Sequence, residues 1–563
     1  MTPFDQEFDV VVVGSGAGAM TAAWAAKRKN LSVVVIEKAA VYGGNTAMSG
    51  GAAWMPNAPV LKRHGHGDDP QGVYNYLRAI APNVDPERHR RYVEEGPKIF
   101  EALEELPQFK NGYYVQPRYA DYHMSLGGSA RSRGVFPRPI ALGILGEEAN
   151  TLRKAEMVKP GIAGKIWFVS KDLEDLNRLR WGFNPWRQLK VYSRFGWRLI
   201  HRLVTGQEIV TMGRALIVRF RLALKDAGIP IWLNTPLKSL ITENDAVVGV
   251  LAERNGQPVR IRARAGVVIA AGGFEYNKAM RAQYQPELPD GGCSMGASSN
   301  TGDGIQAGVA AGAAIDLMDY AWWMPALVIK GKPQALISAR QAPRGFIVNS
   351  LGKRFINEAC PYPMFGQIQI EAHRTGVSHL PAYLILDNYT WTHNFIAGHI
   401  PGQPIPPAWL EAGTIVSADS MPELAKKIGV PPENLVATTE RFNTFARNAR
   451  DEDFHRGENA YDNYYGDESL PNPNLAEVRN PPYVALRLTL SDLGTSGGLL
   501  TNADSQVLNR SGQPIPGLYA AGNSSATLMG YGYAGPGGTI GPAMVQGWLA
   551  ASAMASLMKP ATR

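Results

Sequence analysis

Runs of consecutive apolar residues near the amino terminus predict two buried strands of a parallel sheet. The first run covers residues 8–13, an alanine-rich helix follows and ends near Lys29, and the second run covers residues 31–36. A strand that is covered on both faces reads as a continuous apolar run, whereas a half-exposed strand alternates. The order strand, helix, strand therefore predicts a βαβ unit.

Two later segments show the same pattern of an apolar strand that ends in a glycine turn. They cover residues 266–273 and 517–523, and a helix is predicted over residues 539–554. Before this helix, residues 530–541 read Gly-Tyr-Gly-Tyr-Ala-Gly-Pro-Gly-Gly-Thr-Ile-Gly. Glycines allow the backbone to approach a flat ligand, and the free N–H groups of a helix start stabilise negative charge. The loop is thus predicted to hold a group that develops negative charge.

The first strand–helix junction carries a dinucleotide-binding fingerprint. It fits Gly-x-Gly-x-x-Gly/Ala, with a tight turn at Gly14, close backbone approach at Gly16 and a small packing residue at Ala19. Glu37 follows Gly14 by 23 residues, where an acid accepts a ribose hydroxyl. A purely structural glycine turn is the alternative. The strand, helix and acid in the expected order favour the nucleotide site.

FAD is the dinucleotide that the sequence favours over NAD. Glycine-rich segments occur at four distant places, which suits a long, flat ligand held along its length. The residues predicted to contact it are Gly14, Gly16, Ala17, Gly18, Ala19, Glu37, Lys38, Gly44, Asn45, Thr46, Ser49, Gly50, Gly51, Ala271, Gly272, Gly273, Asn300, Asp303, Gly522, Asn523, Gly538, Thr539 and Ile540.

Composition narrows the class of protein. At 563 residues the chain is too long for one core, and 45% hydrophobic residues with 60 glycines fit a globular enzyme with many tight loops. Two cysteines, Cys293 and Cys360, give neither a disulfide framework nor a metal cluster, which indicates a reducing compartment. We predict no signal peptide, no membrane-spanning helix and no metal site, and hence a cytoplasmic protein.

Positive charge is concentrated in residues 151–225. The chain has a net charge of +8, and this segment alone holds 16 lysine and arginine residues against 5 acidic ones. Within it, residues 187–204 are predicted to form an amphipathic helix, with Asn184 as its cap and Pro185 at its first position. Cations fall on one line of this helix and apolar side chains on the opposite side: Arg187, Lys190, Arg194, Arg198 and Arg202 against Leu189, Tyr192, Leu199, Ile200, Leu203 and Val204.

Three interpretations of this helix stay open from the sequence. A basic, aromatic-rich amphipathic helix is typical of a protein that docks on a membrane surface, here through residues 181–221 on the inner face of the cell membrane. A surface helix with a solvated basic face is the simpler alternative. Nucleic-acid binding is disfavoured, because no DNA- or RNA-binding motif accompanies the charge.

Four further motifs carry a resemblance to a known family. They are residues 299–304 (Ser-Asn-Thr-Gly-Asp-Gly), 352–358 (Gly-Lys-Arg-Phe-Ile-Asn-Glu), 492–498 (Asp-Leu-Gly-Thr-Ser-Gly-Gly) and 533–537 (Tyr-Ala-Gly-Pro-Gly). Together with the fingerprint, they resemble the flavoprotein superfamily that includes fumarate reductases and ketosteroid dehydrogenases. The last motif is closer to specific for the 3-ketosteroid Δ1-dehydrogenases, which the chain resembles most.

This resemblance implies an α/β fold of three parts. A discontinuous Rossmann-type FAD-binding domain is expected over residues 1–320 and 485–563, with the basic segment 151–225 as a helical excursion. An inserted α+β catalytic or cap domain is expected over residues 321–484. A hydrophobic slot for the substrate is predicted between the domains. Its expected lining is residues 321–325, Phe346, Phe365 and Met529.

The resemblance also implies a reaction, the removal of two hydrogens across C1–C2 of a 3-ketosteroid. The C2 proton leaves to a base, C1 loses hydride to flavin N5, and donors stabilise charge on the C3 oxygen. By motif position, Tyr533 and the N–H of Gly537 are the donors, Tyr362 is the base, and Tyr122 supports the base. The nearby Tyr113, Tyr114 and Tyr119 are the alternatives to Tyr122. A tyrosinate base needs its pKa lowered from about 10 by donors or positive charge. The electrons pass to an external acceptor of the quinone or dye type.

Three other functions remain as alternatives. A Δ4-(5α)-ketosteroid dehydrogenase resembles this chain but carries serine two residues after the loop tyrosine, where Gly535 stands here. A fumarate-type flavin reductase needs arginine and histidine clamps for carboxylates, and no matching His-x-Thr clamp is found near Gly494. A flavoprotein that binds steroid or membrane without turnover is the third. Within the loop, Tyr531 is the rival of Tyr533.

Overall fold

The computed structural model describes residues 3–155, 166–179, 185–288, 292–399 and 401–558. Its strands, in chain order, are β1 (Gln6–Val13), β2 (Val33–Ile36), β3 (Ala53–Trp54), β4 (Tyr113–Val115), β5 (Gly134–Pro137), β6 (Ile140–Ala141), β7 (Ile209–Val210), β8 (Ile231–Trp232), β9 (Leu237–Glu243), β10 (Ala246–Arg254), β11 (Gln257–Ile269), β12 (Cys293–Ser294), β13 (Ile315–Asp316), β14 (Ala321–Ile329), β15 (Lys332–Ala335), β16 (Gly345–Val348), β17 (Ala382–Leu386), β18 (Ile415–Ala418), β19 (Tyr483–Thr495), β20 (Gly498–Leu499), β21 (Gln506–Leu508) and β22 (Pro514–Ala520). Its α-helices are α1 (Ala17–Arg28), α2 (Gly44–Met48), α3 (Pro59–Arg63), α4 (Pro70–Ile80), α5 (Pro86–Glu104), α6 (Ser170–Leu179), α7 (Pro185–Thr205), α8 (Met212–Asp226), α9 (Lys278–Tyr284), α10 (Asp303–Ala310), α11 (Tyr362–His373), α12 (Asn388–His393), α13 (Pro407–Glu411), α14 (Met421–Ile428), α15 (Pro432–Asn448) and α16 (Ile540–Leu557).

The amino-terminal βαβ unit lies at the centre of the first sheet. The hydrogen-bonded order is β21-β22-β11-β1-β2-β8, and β10 and β9 continue antiparallel from β11. The alternate residues of β1 are buried in two different hydrophobic clusters, Val10 and Val12 in one, Val11 and Val13 in the other. A strand covered on both faces explains the continuous apolar run. The predicted strand–helix–strand unit is confirmed, with small shifts at its ends.

The two later glycine-turn strands join the same sheet. Strand β11 pairs in parallel with β1, and β22 pairs in parallel with β11 through Leu518 and Val267. The carboxyl ends of β1, β11 and β22 therefore meet at one edge of the sheet. Ligands of open parallel sheets bind beyond this edge.

The second sheet is mainly antiparallel and holds strands from the middle of the chain. Its order is β15-β14-β19-β17-β16, and β12 and β18 also pair with β19. The long strand β19 continues across residue 485 to Thr495. The domain boundaries after residues 320 and 484 stay predictions.

Helices α1 and α16 pack closely against each other, which brings the first turn of α1 next to the first turns of α16. A Cβ on Gly18 would lie 2.9 Å from the carbonyl oxygen of Ala543, and one on Gly547 would lie 2.3 Å from the carbonyl oxygen of Gly18. Backbone contact at this distance requires residues without a side chain. The fingerprint glycine Gly18 thus also fixes the carboxyl-terminal helix.

Two arginines of the basic line of α7, Arg194 and Arg198, face the protein, whereas Lys190 of the same line is exposed. Arg198 and Arg194 form ion pairs of 2.6 and 2.9 Å with Asp172 of α6, whose side chain is fully buried. Arg194 also pairs with Asp175 at 2.9 Å. The amphipathic helix is confirmed, and a solvated basic face is wrong for these two arginines. The proposed cap Asn184 and the rest of residues 181–184 lie outside the described part of the chain.

The opposite face of α7 exposes large apolar side chains. Seven large apolar side chains of this helix are at least half exposed: Trp186, Leu189, Tyr192, Trp197, Ile200, Leu203 and Val204. No described helix is long and apolar enough to cross a membrane. A face of this kind marks an interaction surface.

Candidate active site

One continuous cavity of about 860 Å³ brings the glycine loops and the predicted tyrosines together. The four residues with predicted roles in the chemistry all line it, namely Tyr122, Tyr362, Tyr533 and Gly537. The predicted cofactor residues that line it are Gly14, Gly16, Ala17, Gly18, Glu37, Lys38, Gly44, Asn45, Thr46, Ser49, Gly50, Gly51, Ala271, Gly272, Asn300, Asp303, Gly522, Asn523, Thr539 and Ile540.

Three predicted cofactor residues lie behind the cavity wall. Ala19 is fully buried within α1. A Cβ on Gly273 would lie 2.1 Å from the hydroxyl oxygen of Thr495, and one on Gly538 would lie 3.1 Å from the ring of Tyr533. These small residues shape the wall by allowing close packing behind it.

The start of α1 is suited to a pyrophosphate. Its cap Gly16 has no side chain to accept the first N–H groups, and only the Ala17 N–H donates to a side chain, Thr46 Oγ1, at 3.1 Å. Gly14 has φ = 105°, and a Cβ there would lie 2.2 Å from the carbonyl oxygen of Ala270. Free N–H groups and the positive end of a helix dipole bind phosphate groups.

The acid Glu37 is held at the cavity by its neighbours. Its Oε2 accepts from the Ser15 hydroxyl at 2.5 Å, and its Oε1 accepts from the Ala39 N–H at 2.9 Å. Each carboxylate oxygen retains acceptor capacity for a ribose hydroxyl. The open start of α1 and the Glu37 carboxylate together fit the ADP half of FAD, which carries the ribose and the pyrophosphate.

A buried carboxyl group that sequence reasoning missed lies beside the cavity. Glu275 Oε1 accepts from the side-chain amides of Asn45 at 2.9 Å and Asn300 at 2.8 Å. Burial, followed by the nearby Asp492, raises the pKa of Glu275 to about 7. Glu275 therefore fixes two amides that line the cavity. Its position two residues after the Gly-Gly turn was the available sequence signal.

The loop that carries Tyr533 is clamped at its backbone. The Ala534 carbonyl accepts from the Tyr76 hydroxyl at 2.7 Å and from the Tyr122 N–H at 3.0 Å. The Gly537 carbonyl accepts from the Trp54 N–H at 3.0 Å. Gly537 has φ = 93°, and a Cβ there would lie 2.5 Å from the Trp54 nitrogen. Only glycine fits this position.

The three predicted tyrosines form one cluster. Ring centroids are 5.7 Å apart for Tyr122 and Tyr362, 5.2 Å for Tyr122 and Tyr533, and 5.7 Å for Tyr362 and Tyr533. Hydrogen bonds connect the phenol of Tyr362 to those of Tyr533 and Tyr122. The hydroxyl of Thr539 also bonds Tyr533. Residues more than 400 positions apart in sequence thus share one hydrogen-bonded site.

Burial controls the acidity of these phenols. It raises the pKa of Tyr362 well above 10, the neighbouring Tyr533 adds to this, and the hydrogen bond from Tyr122 lowers it in part. Burial also raises the pKa of Tyr533, against the lowering by its bonds to Tyr362 and Thr539. The direction is opposite to the one that a tyrosinate base needs. A hydrogen-bond donor was one predicted means of lowering the pKa of the base, and Tyr122 supplies such a donor to Tyr362.

The cluster is larger than the sequence suggested. Tyr119 hydrogen-bonds to Tyr122 and Tyr465, and it stacks on Tyr464 with ring centroids 4.4 Å apart. Tyr461 lies 4.7 Å from Tyr122 between ring centroids. The run Tyr-Asp-Asn-Tyr-Tyr at 461–465 was the sequence signal for Tyr461, Tyr464 and Tyr465.

The apolar slot is only partly the predicted one. Trp322 and Met324 of β14 line the cavity. The prediction is wrong for the others, which are buried away from it: Ala321, Trp323, Pro325, Phe346, Phe365 and Met529. Alternate residues of a strand point to opposite faces, so Trp323 points away from the cavity, towards Gly366 of α11. The segment before α7 adds Phe168 and Leu173 to the lining.

Comparisons with known proteins identify the family of the chain. A family model described as "FAD binding domain" matches residues 9–540. A 3-oxosteroid 1-dehydrogenase of Mycobacterium tuberculosis is 45% identical over 560 residues, which cover 97% of this chain and 98% of the relative. One from Mycolicibacterium smegmatis is 43% identical and covers 97% of each chain. The crystal structure of 3-ketosteroid Δ1-dehydrogenase from Sterolibacterium denitrificans in complex with 1,4-androstadiene-3,17-dione has a TM-score of 0.91 and 38% identity, with 98% of this chain and 100% of that chain covered.

Proposed function

The chain belongs to the 3-oxosteroid 1-dehydrogenases, a family of FAD-dependent oxidoreductases, and on this premise we propose how its residues introduce a double bond between C1 and C2 of a 3-ketosteroid. The observation that carries the assignment of roles is the meeting of Tyr533, Gly537 and Tyr362 in one cavity. We infer that the cavity of about 860 Å³ is shared by the cofactor, at its glycine-rich lining, and an apolar substrate, at the tyrosines.

The ketone is held by the Tyr533 loop. The phenol of Tyr533 and the N–H of Gly537 donate hydrogen bonds to the C3 oxygen, which gains negative charge as the C2 proton leaves. Donors placed before the reaction stabilise this charge without reorganisation. The clamped carbonyls of Ala534 and Gly537 keep both donors in place.

Tyr362 removes the C2 proton. Its phenol oxygen takes the proton, the C2–H electron pair moves towards the C3 ketone, and departure of hydride from C1 completes the double bond. Bound FAD supplies the acceptor for that hydride. Tyr122 donates a hydrogen bond to Tyr362 and so favours its charged form. The two electrons then pass to an external quinone-like acceptor.

Anaerobic mixing with a 3-keto-4-ene steroid tests this function. We expect flavin absorbance to bleach and a C1–C2 double bond to form, which mass spectrometry and NMR of the product identify. Bleaching by a saturated 5α-steroid with a new C4–C5 double bond would instead assign the alternative regiochemistry. Bound yellow flavin without bleaching would refute steroid dehydrogenation.

Replacing Glu37 with glutamine is expected to weaken FAD binding about tenfold or more, because a hydrogen bond to a charged group contributes roughly 1.5–3 kcal/mol. Fluorescence titration of apoprotein with FAD measures the change. Glu7 → Gln at the exposed start of β1 is the matched control and should leave affinity unaltered. Equal affinities of the Glu37 variant and wild type would remove Glu37 from the cofactor site.

We further propose that the apolar face of α7 docks on a lipid surface. Arg194 and Arg198 are neutralised by α6, so the outward face offers apolar and aromatic side chains such as Trp186 and Leu203. Helices that lie in the membrane interface combine these side chains. Phe168, just before α6, and Leu173, in its first turn, line the cavity. A lipid surface at α7 therefore suits an enzyme whose substrate is itself lipid-like.

Flotation with phosphatidylcholine vesicles tests docking. We expect wild-type protein to float, and Leu203 → Asp to reduce the bound fraction about tenfold, since burying one leucine contributes roughly 1.5–3 kcal/mol. Leu557 → Asp, at an equally exposed leucine near the end of α16, should float like wild type. If wild-type protein does not float, docking on lipid is contradicted. The same holds if wild-type protein is a dimer in solution and Leu203 → Asp makes it a monomer, because the apolar face would then bind a second copy of the chain.

A further inference from the structure

A buried carboxylate lies directly beneath the loop that holds the ketone. Asp121 Oδ1 accepts from the indole N–H of Trp54 at 2.7 Å, and its Oδ2 accepts from Arg133 at 2.6 Å and from the Ala130 N–H at 3.0 Å. The side chains of Asp121, Trp54 and Arg133 are each no more than 4% exposed. Every bond that Asp121 makes is therefore shielded from water.

This carboxylate fixes the shape of the loop from below. A Cβ on Gly535 would lie 2.9 Å from the Trp54 ring and 3.0 Å from Asp121 Oδ1, so the loop backbone rests directly on the pair. The backbone N–H of Trp54 donates to the Gly537 carbonyl at 3.0 Å, and the N–H of Tyr122, next to Asp121, donates to the Ala534 carbonyl at 3.0 Å. Asp121 thus connects both attachment points of the loop.

A second contact strengthens the same arrangement. The guanidinium of Arg133 lies over the rings of Trp54 and Tyr76, 5.8 and 5.7 Å from their centroids. The Tyr76 hydroxyl donates to the Ala534 carbonyl at 2.7 Å. Arg133 is in turn held by Asp68 at 2.7 Å on its other side. The ion pair of Arg133 with Asp121 therefore positions both aromatic side chains that support the loop, Trp54 and Tyr76.

We propose that Asp121 is a positioning residue. It sets the distance between the hydrogen-bond donors to the ketone, Tyr533 and Gly537, and the base Tyr362 with its supporting residue Tyr122. Asp121 is not among the residues that line the cavity, and it acts through Trp54 on one side of the loop and through the backbone of Tyr122 on the other. Because the Trp54–Asp121 pair fills the space beside Gly535, it also excludes any side chain from that position. The inference rests on the proposed function of the tyrosines.

Asp121 → Asn tests the proposal. Its amide cannot accept from Trp54, Arg133 and Ala130 together, because one carboxylate oxygen becomes a donor. We expect kcat to fall about 30- to 100-fold with KM within about threefold, since a small misplacement of reacting groups costs about 10²-fold in rate while ground-state binding survives. The FAD-loaded enzyme is assayed, and the flavin-to-protein ratio is measured for each variant.

Asp68 → Asn is the matched control. Asp68 accepts both Arg133 bonds with a single oxygen, so asparagine can keep them while the charge beside Arg133 is lost. We expect kcat within about threefold of wild type. Equal losses in the two variants would mean that only charge near Arg133 matters, and would overturn the role of Asp121.

Trp54 → Phe keeps the proposal testable if the Asp121 variant does not fold. Phenylalanine retains a ring beneath Gly535 and removes the N–H donor to Asp121. We expect a fall in kcat of about tenfold, again with KM nearly unchanged. An unchanged kcat would refute the proposal. Absence of turnover in wild type itself would refute the steroid function instead, so the two failures are distinguishable.

Discussion

Replacing Tyr362 with phenylalanine is expected to lower kcat for steroid desaturation by about 10³-fold, because a positioned general base contributes roughly 10²–10⁴-fold. Phenylalanine keeps the ring that packs on Tyr122 and Tyr533 and removes only the oxygen that accepts the C2 proton. Steroid binding and bound FAD should survive. Anaerobic stopped-flow measurement of flavin bleaching gives the rate, and loss of solvent exchange at C2 locates the defect in proton removal.

The pH dependence gives an independent reading of the same phenol. The base must be ionised to act, and burial raises the pKa of Tyr362 above its usual 10. Wild-type kcat/KM should therefore rise with pH through the alkaline range, and this rise should be missing from the phenylalanine variant.

Tyr461 → Phe is the control for loss of a phenol from this cluster. Tyr461 is buried against Tyr122 but does not line the cavity, so its variant should stay within about threefold of wild type. A Tyr362 variant that retains wild-type rates would assign proton removal to another group.

Local patterns predicted the parts of the fold that depend on local physics. The apolar runs of β1 and β2, the glycines of the first turn and Glu37 are separated by few residues, and their meaning follows from strand burial and turn geometry. The start of α16 was predicted to within one residue for the same reason. From these elements the sequence predicts an FAD site at the carboxyl edge of the first sheet.

The tyrosine site could not be derived from such patterns. Tyr122, Tyr362 and Tyr533 come from three distant segments, and nothing in their local sequence shows that their rings meet. Only motif resemblance singled them out from the 22 tyrosines of the chain. Tyr119 entered the prediction only as a neighbour that could stand in place of Tyr122, and Tyr465 and Asp121 were given no role.

Helix α7 shows how a correct local prediction can mislead about environment. Its periodicity correctly separated cations from apolar residues. Which face turns inward depends on α6, where Asp172 and Asp175 neutralise Arg194 and Arg198. A basic face normally turns to water, and here the buried Asp172 and the partly buried Asp175 turn two of its arginines inward by supplying their charge partners.

Replacing Tyr533 with phenylalanine is expected to lower kcat by about 10²- to 10³-fold, as removal of one oxyanion donor typically does. The donor acts most strongly when charge develops on the C3 oxygen, so kcat should fall more than KM rises. The ring contacts to Trp322 and Tyr122 remain, and the loop keeps its backbone bonds. Steady-state kinetics with a dye acceptor separates kcat from KM.

Tyr531 → Phe provides the decisive comparison within the same loop. Tyr531 is 42% exposed and its hydroxyl donates to Asp319 at 3.0 Å, whereas Tyr533 is buried and lines the cavity. If the buried phenol binds the ketone, the Tyr531 variant should stay within about threefold of wild type. A larger loss from Tyr531 than from Tyr533 would reverse the two roles. Both variants keep the glycines of the loop and lose one hydroxyl group each. The difference between their kcat values therefore reports the effect of the hydroxyl that faces the cavity relative to the one that faces solvent.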